Sequence, residues 1–245
     1  MDVSELTKSL ADYNATVNSS VDLIVSATQP LAFVIIGVFL LLELDSWYKY
    51  FKQEGGAITA NLWLELAIKY VLAYLFVIYS SSIFDFIVEI FNVAIKLTNG
   101  VLPNTKINFD VTTKGLTGWF LKNIVGFVGK TTNYIAGVSA KLLLMMRFFQ
   151  MYLLKALGPV MVAFFMADST RPTMINFLKQ FGAAALQGLI LMIVIRLYPV
   201  LVQTDMLKAG EGDYVTAFAS IAKGIIFIFM LFGSQRLAKS ILGTS

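Results

Sequence analysis

Cysteine and histidine are both absent from the 245 residues, and only 14% of the chain is charged. Without cysteine there can be no disulfide staple, no thiolate nucleophile and no Cys-ligated metal; without histidine the commonest remaining metal ligand is gone too. The missing imidazole also removes the side chain that ordinarily moves protons near neutral pH. Charge is scarce relative to a soluble domain, where about a quarter of residues carry it. In its place the chain has 58% hydrophobic residues, a mean hydropathy of +0.76 and 20 phenylalanines. Both departures go the way a lipid environment demands. The expected fold class is therefore all-α, a polytopic membrane protein.

Periodicity and the spacing of polar residues divide the chain further. Residues 1–22 carry Asp2, Glu5, Asp12 and Asp22 against a single Lys8, the reverse of a secretory leader, which needs a positive start. Leu6, Leu10, Tyr13, Val17 and Val21 recur at helical spacing, so an amphipathic N-terminal helix is expected, lying at the interface or docking on a partner. Five spans follow at about 23–42, 62–80, 140–166, 181–202 and 215–232. Pro30 should kink the first. Trp47, Tyr48 and Tyr50 mark its boundary as an aromatic belt, and Glu65 and Lys69 in the second stand four apart and can pair. Residues 83–133 form an external segment. Within it Asp85, Glu89, Asn92 and Lys96 make one polar stripe, facing either the membrane surface or a water-filled vestibule. Leu116–Val128 is too short to cross and is expected as an interfacial or re-entrant helix. Gly158-Pro159 should bend the third span, and Gly182-Ala183-Ala184-Ala185 offers the fourth a small-residue face for close packing.

Catalytic signatures are missing. No GxxxxGK[ST], GxSxG, HExxH or DxDxDG pattern occurs, and Gly129-Lys130-Thr131 has Ile124 where a phosphate loop needs its first glycine. Asp85 and Glu89 have no nucleophile or metal cluster beside them, so neither an enzyme nor a cofactor is expected.

Charge is distributed unevenly. Between Asp110 and Asp205 stand nine basic residues and one acidic one, Asp168, a net charge of +8. Several of these cations, Lys122, Lys130, Lys141, Arg147 and Lys155 among them, lie in apolar sequence. A Lys or Arg in hydrocarbon costs about 2.5–3.5 kcal/mol on insertion scales, so water, a partner or a polyanion is expected to compensate it. The orientation rule places Arg236 and Lys239 of the tail in the cytoplasm and, with five spans, the acidic N-terminus outside. Lys106, Lys114, Lys122 and Lys130 then fall outside, against the rule, as though selected for another purpose. With Lys141, Arg147 and Lys155 they are the candidate substrate-path residues.

Leu154-Lys155-Ala156-Leu157-Gly158-Pro159-Val160, then Phe164-Phe165, Thr170-Arg171 and Phe177-Leu178, together resemble the core of the TrbL/VirB-six family, polytopic inner-membrane subunits of conjugative type IV secretion machines. The likeness covers about residues 134–202. It departs from the family at Phe177, which stands near a position usually held by tryptophan. Gly158, Pro159, Asp168, Thr170, Arg171 and Phe177 are the positions that carry the pattern. The resemblance implies a ring-like homo-oligomer, a pentamer, in the bacterial cytoplasmic membrane. It further implies secretion ATPases and other channel subunits as partners, membrane lipids around the ring, and DNA with an attached relaxase as the transient substrate. Two other readings fit the composition: a small-molecule or ion permease, and a membrane anchor for another secretion or phage-related complex.

Overall fold

The computed structural model describes residues 3–54, 60–101, 119–203 and 213–244, and its regular elements there are all helical. A 3-10 turn, Val3–Thr7, precedes α1 (Leu10–Tyr13), α2 (Ala15–Glu54), α3 (Ala60–Ile78), α4 (Ser80–Val101), α5 (Trp119–Ala163), α6 (Arg171–Gln203) and α7 (Asp213–Ile241). Five segments are long and apolar enough to cross a membrane: Ala15–Lys52, Ala60–Ile78, Lys122–Ala163, Arg171–Val202 and Ile221–Ile241. This is the plan of a multi-pass membrane protein. The outer face of the first agrees with it, since Leu23, Leu31, Val34 and Leu41 of α2 are exposed. Water would penalise each such side chain, whereas acyl chains would not.

The helices run past several expected boundaries. Leu116–Val128 does not stand apart as a short interfacial or re-entrant helix: from Trp119 onward it is the beginning of α5, which continues unbroken for 45 residues. The polar run that follows Val128, Lys130-Thr131-Thr132-Asn133, contains no proline. The Thr132 hydroxyl donates to the Val128 carbonyl (2.9 Å), so a polar residue is accommodated without leaving the helix. The N-terminal segment also differs from one amphipathic helix. It breaks at Lys8-Ser9 and again at Asn14, and residues 15–22 already belong to α2. α2 itself passes through Pro30 and ends only at Glu54. Lys106 and Lys114 lie outside the described residues.

The chain forms two compact units. One comprises Lys8–Ile90, Phe148–Ala185 and Leu242–Ser245. Its apolar core joins Ala32 and Ile36 of α2, Leu66, Ala73 and Val77 of α3, and Val162 and Ala163 of α5, with Met166 and Met174 closing over the α5–α6 turn. Aromatic pairs Phe39–Phe164 and Phe76–Phe165 meet edge to face across it at 5.0 Å between centroids. The small-residue face of α6 packs as its sequence suggests, with Ala183, Ala184 and Ala185 all buried. The other unit comprises Met1–Thr7, Phe91–Arg147 and Leu186–Ile241. There Leu143, Leu144, Leu191, Met192 and Leu231 are buried, and the Arg196 Nε–H donates to Asn99 Oδ1 (3.1 Å).

Candidate functional site

Two charged clusters and one exposed helix face hold the chemistry, and each lies within a single unit. The first cluster surrounds Lys155, whose side chain is wholly buried in α5. Its ammonium donates to both oxygens of Asp85 on α4 (2.8 and 2.9 Å) and to Asn18 Oδ1 on α2 (3.2 Å), and pairs with Asp22 Oδ1 (3.2 Å). Ser81 donates to the same Asp22 oxygen at 2.9 Å. One turn earlier on α5, Tyr152 donates to the Leu10 carbonyl at 2.5 Å. A buried ammonium is tolerable only when it is paired and fully hydrogen-bonded, and four oxygens meet that condition here. Lys155 therefore ties α2, α4 and α5 together. The Asp85 end of the α4 polar stripe faces this lysine, an arrangement that neither expected reading of the stripe included.

Just beyond Lys155, Gly158 faces Phe84, and a Cβ there would overlap the Phe84 ring. Phe84 meets Phe181 (4.7 Å) and Phe177 (6.0 Å), so Gly158 is the notch that admits an aromatic cluster. Six turn and helix positions that carry the family-like pattern thus surround one hairpin. The Thr170 hydroxyl donates to the Phe164 carbonyl (2.8 Å) and contacts that of Ala167 (3.1 Å), closing the α5–α6 turn. Asp168 pairs with Arg171 (2.8 Å), whose guanidinium stacks over Phe165 at 4.8 Å.

The second cluster fastens that turn to α2 and α3. Lys69 Nζ reaches Asp168 (3.0 Å), Glu65 (3.1 Å) and the buried Glu43 (3.4 Å), and lies 5.6 Å from the centre of the Trp47 ring. Glu65 and Lys69 pair as their spacing predicts. Partial burial pushes the Asp168 carboxyl up, but the Lys69 hydrogen bond and the Lys69 and Arg171 charges outweigh it and hold the group below its ordinary range. A carboxyl lowered by folding adds stability above its unfolded pKa, about 4, and loses that contribution as pH falls through the folded value. Wild type should accordingly melt above Asp168→Asn at pH 7, and the gap should close as the pH is taken below about 4. Differential scanning fluorimetry in detergent reads both; a gap independent of pH would refute the assignment.

The third feature is the N-terminal half of α5. At about 100° per residue, its positions from 122 to 146 sort into three arcs. Val125, Thr132, Ala136, Ser139 and Leu143 form the buried arc. Ile124, Phe127, Ile135, Val138, Leu142 and Met146 form an exposed apolar arc. Between them runs an exposed arc about 60° wide holding Asn123, Lys130, Tyr134, Lys141 and the bare backbone of Gly137; Lys122, also exposed, lies about 80° round from Lys130, in the direction of the buried Ala140. From Asn123 to Lys141 this strip rises about 27 Å, close to the thickness of a hydrocarbon core. The apolar arc suits lipid. The cationic arc suits neither lipid nor a protein interior.

The seven cations expected along one path are thus divided. Lys106 and Lys114 lie outside the described residues, and Lys122, Lys130 and Lys141 are exposed, the last two along one strip. Lys155 is neutralised inside its unit, and Arg147 is buried at 1% exposure, its guanidinium 3.5 Å from the Leu6 carbonyl and filling the space that a side chain on Gly188 would need. Asp22 and Asn18 were not among the expected site residues. They sit 133 and 137 residues from Lys155 in sequence, with no local pattern linking them. Among the described residues no cluster of three metal-ligating side chains occurs. Comparison with protein-family models, curated proteins and solved structures gave no match.

Proposed function

We propose that this chain is a channel or scaffold subunit of a bacterial conjugative type IV secretion machine, helping DNA and its attached protein across the cytoplasmic membrane. The observation that carries the reading is the cationic strip of α5, exposed beside an apolar face fit for lipid. Exposed ammonium groups beside a face fit for lipid need an aqueous or anionic neighbour. A lumen shared by several copies, with the N-terminus outside and the C-terminus in the cytoplasm, would supply one. The knitted α5–α6 hairpin supports the same reading, because Gly158 and Phe177, which resemble the TrbL/VirB-six core, share Phe84 as a neighbour, and Asp168, Thr170 and Arg171 close the turn. Lysine contacts to phosphate are indifferent to base sequence, as a conduit for any DNA requires. The secretion ATPases, other channel subunits and a ring of copies are the partners this role calls for.

The test is the triple replacement of Lys122, Lys130 and Lys141 by Gln, all exposed and so compatible with folding. Crosslinking of the transferring strand to this subunit and the transfer frequency should both fall. In purified form the log–log salt dependence of single-stranded DNA binding should become shallower by about 2, at about 0.7 per lost contact. Unchanged crosslinking and transfer would reject the conduit role.

A further inference from the structure

We infer that Tyr134 and Trp119 are base-stacking residues, so that the cationic strip of α5 holds a nucleic acid strand by its bases as well as its phosphates. The inference rests on the proposed conduit role and adds to it a discrimination between single and double strands. Taken from Lys130 at about 100° per residue, Tyr134 lies about 40° to one side and Trp119 about 20° to the other. Both therefore fall within the arc of Asn123, Lys130, Gly137 and Lys141. They are also bare: Tyr134 is 75% exposed and Trp119 81%. Between residues 119 and 146 they are the only tyrosine and the only tryptophan. A membrane belt would turn such side chains toward lipid. The arc that suits lipid, however, runs through Ile124, Phe127, Ile135, Val138, Leu142 and Met146 and contains neither. The two amphipathic rings stand instead among the ammonium groups.

Spacing gives the arrangement its chemistry. Lys130 precedes Tyr134 by four residues, so ammonium and ring are neighbours on the helix surface, about 6 Å apart along the axis. Lys141 follows about 10 Å further on. A base lying on the Tyr134 ring would have its flanking phosphates within reach of these two long side chains. Gly137, one turn past the ring, has nothing within 4 Å of the place where a Cβ would stand, so the floor beside Tyr134 is clear. None of the 45 residues of α5 is acidic, so the helix itself supplies no carboxylate to neutralise the lysines or repel a phosphate. Cations interleaved with exposed rings suit an unpaired strand, because every base presents a π-face and stacking is indifferent to sequence. A duplex keeps its bases stacked on one another and presents chiefly backbone to the rings.

The test uses the purified full chain in detergent and three probes of equal length: single-stranded oligothymidylate, the same backbone without bases, and a duplex. Tyr134→Ala should weaken oligothymidylate binding about tenfold, as for the loss of one stacked base, and change binding of the other two less than about twofold. Trp119→Ala should act in the same direction, and Tyr134→Trp should keep the wild-type affinity. Lys130→Gln with Lys141→Gln should weaken all three probes and make their salt dependence shallower. Tyr134→Ala that spares oligothymidylate, or weakens the abasic strand as much, would overturn stacking. It would leave untouched the conduit role, which is judged by lysine-dependent transfer. Lipid is the competing occupant of the arc, and the absence of cysteine allows a direct check. Tyr134→Cys carrying a bimane label, in vesicles of brominated or ordinary phosphatidylcholine, should respond to oligothymidylate and not to bromine. Quenching by bromine, with no response to the strand, would assign the arc to lipid and sink the inference.

Discussion

Replacing Lys155 with Met should lower the thermal midpoint of the detergent-solubilised protein by about 4–8 °C, as expected for a loss of about 2 kcal/mol in a chain of this size. The ammonium is the only buried member of its ion-pair cluster; the Asp22 and Asp85 side chains are 45% and 49% exposed. Removing one partner of a wholly buried pair costs about 3–5 kcal/mol, because the survivor stays charged and dry. Here the surviving carboxylates reach the surface, which moderates the loss. The sign of a second substitution separates charge from packing. Lys155→Met with Asp85→Asn should melt higher than Lys155→Met alone, since it removes one of two uncompensated carboxylates. If the double variant melts lower still, the pair is held by shape and the electrostatic account is wrong. Functionally, loss of the midpoint without loss of DNA crosslinking at the α5 strip would fit a lysine that assembles the unit and does not meet substrate.

Gly158→Val should be nearly as damaging, by overcrowding. The added branched side chain would meet the Phe84 ring, which is already held between Phe177 and Phe181 and has no free side to turn to. Overpacking of this kind typically costs about 1–3 kcal/mol. Two controls make the result specific. Gly137→Ala, in the same helix with nothing within 4 Å of the new carbon, should be neutral or slightly stabilising. Phe84→Leu should partly suppress Gly158→Val by vacating the contested volume. A Gly158→Val protein with the wild-type midpoint would show that the hairpin is looser than these contacts require.

Much of the membrane plan could be read directly from residue order, because its signals are local. Runs of apolar residues gave the five spans, four-residue spacing gave the Glu65–Lys69 pair, and the Gly182–Ala185 patch gave a close-packed face on α6. Helix ends were less legible. Polar residues at Lys130–Asn133 and Glu43–Lys52 look like breaks in a hydropathy profile, yet without proline the backbone has no reason to leave the helix there. The charge clusters were hidden for a different reason. Asp22, Asp85 and Lys155 meet only after three helices have packed, so nothing in the neighbourhood of any one of them announces the other two. The excess of cations in the middle of the chain was visible from the start. Its division into neutralised and exposed members depends on which face of α5 is covered, and that is a property of the assembled unit.

One small contact sets a limit on depth. The Gln29 amide donates to the Val77 and Ile78 carbonyls, both at 3.3 Å, where α3 gives way to α4. Helix ends ordinarily seek the headgroup region because their bare carbonyls need water. Here a neighbouring helix brings the substitute, so the joint between α3 and α4 carries part of its own solvation and can sit below the waterline of the bilayer.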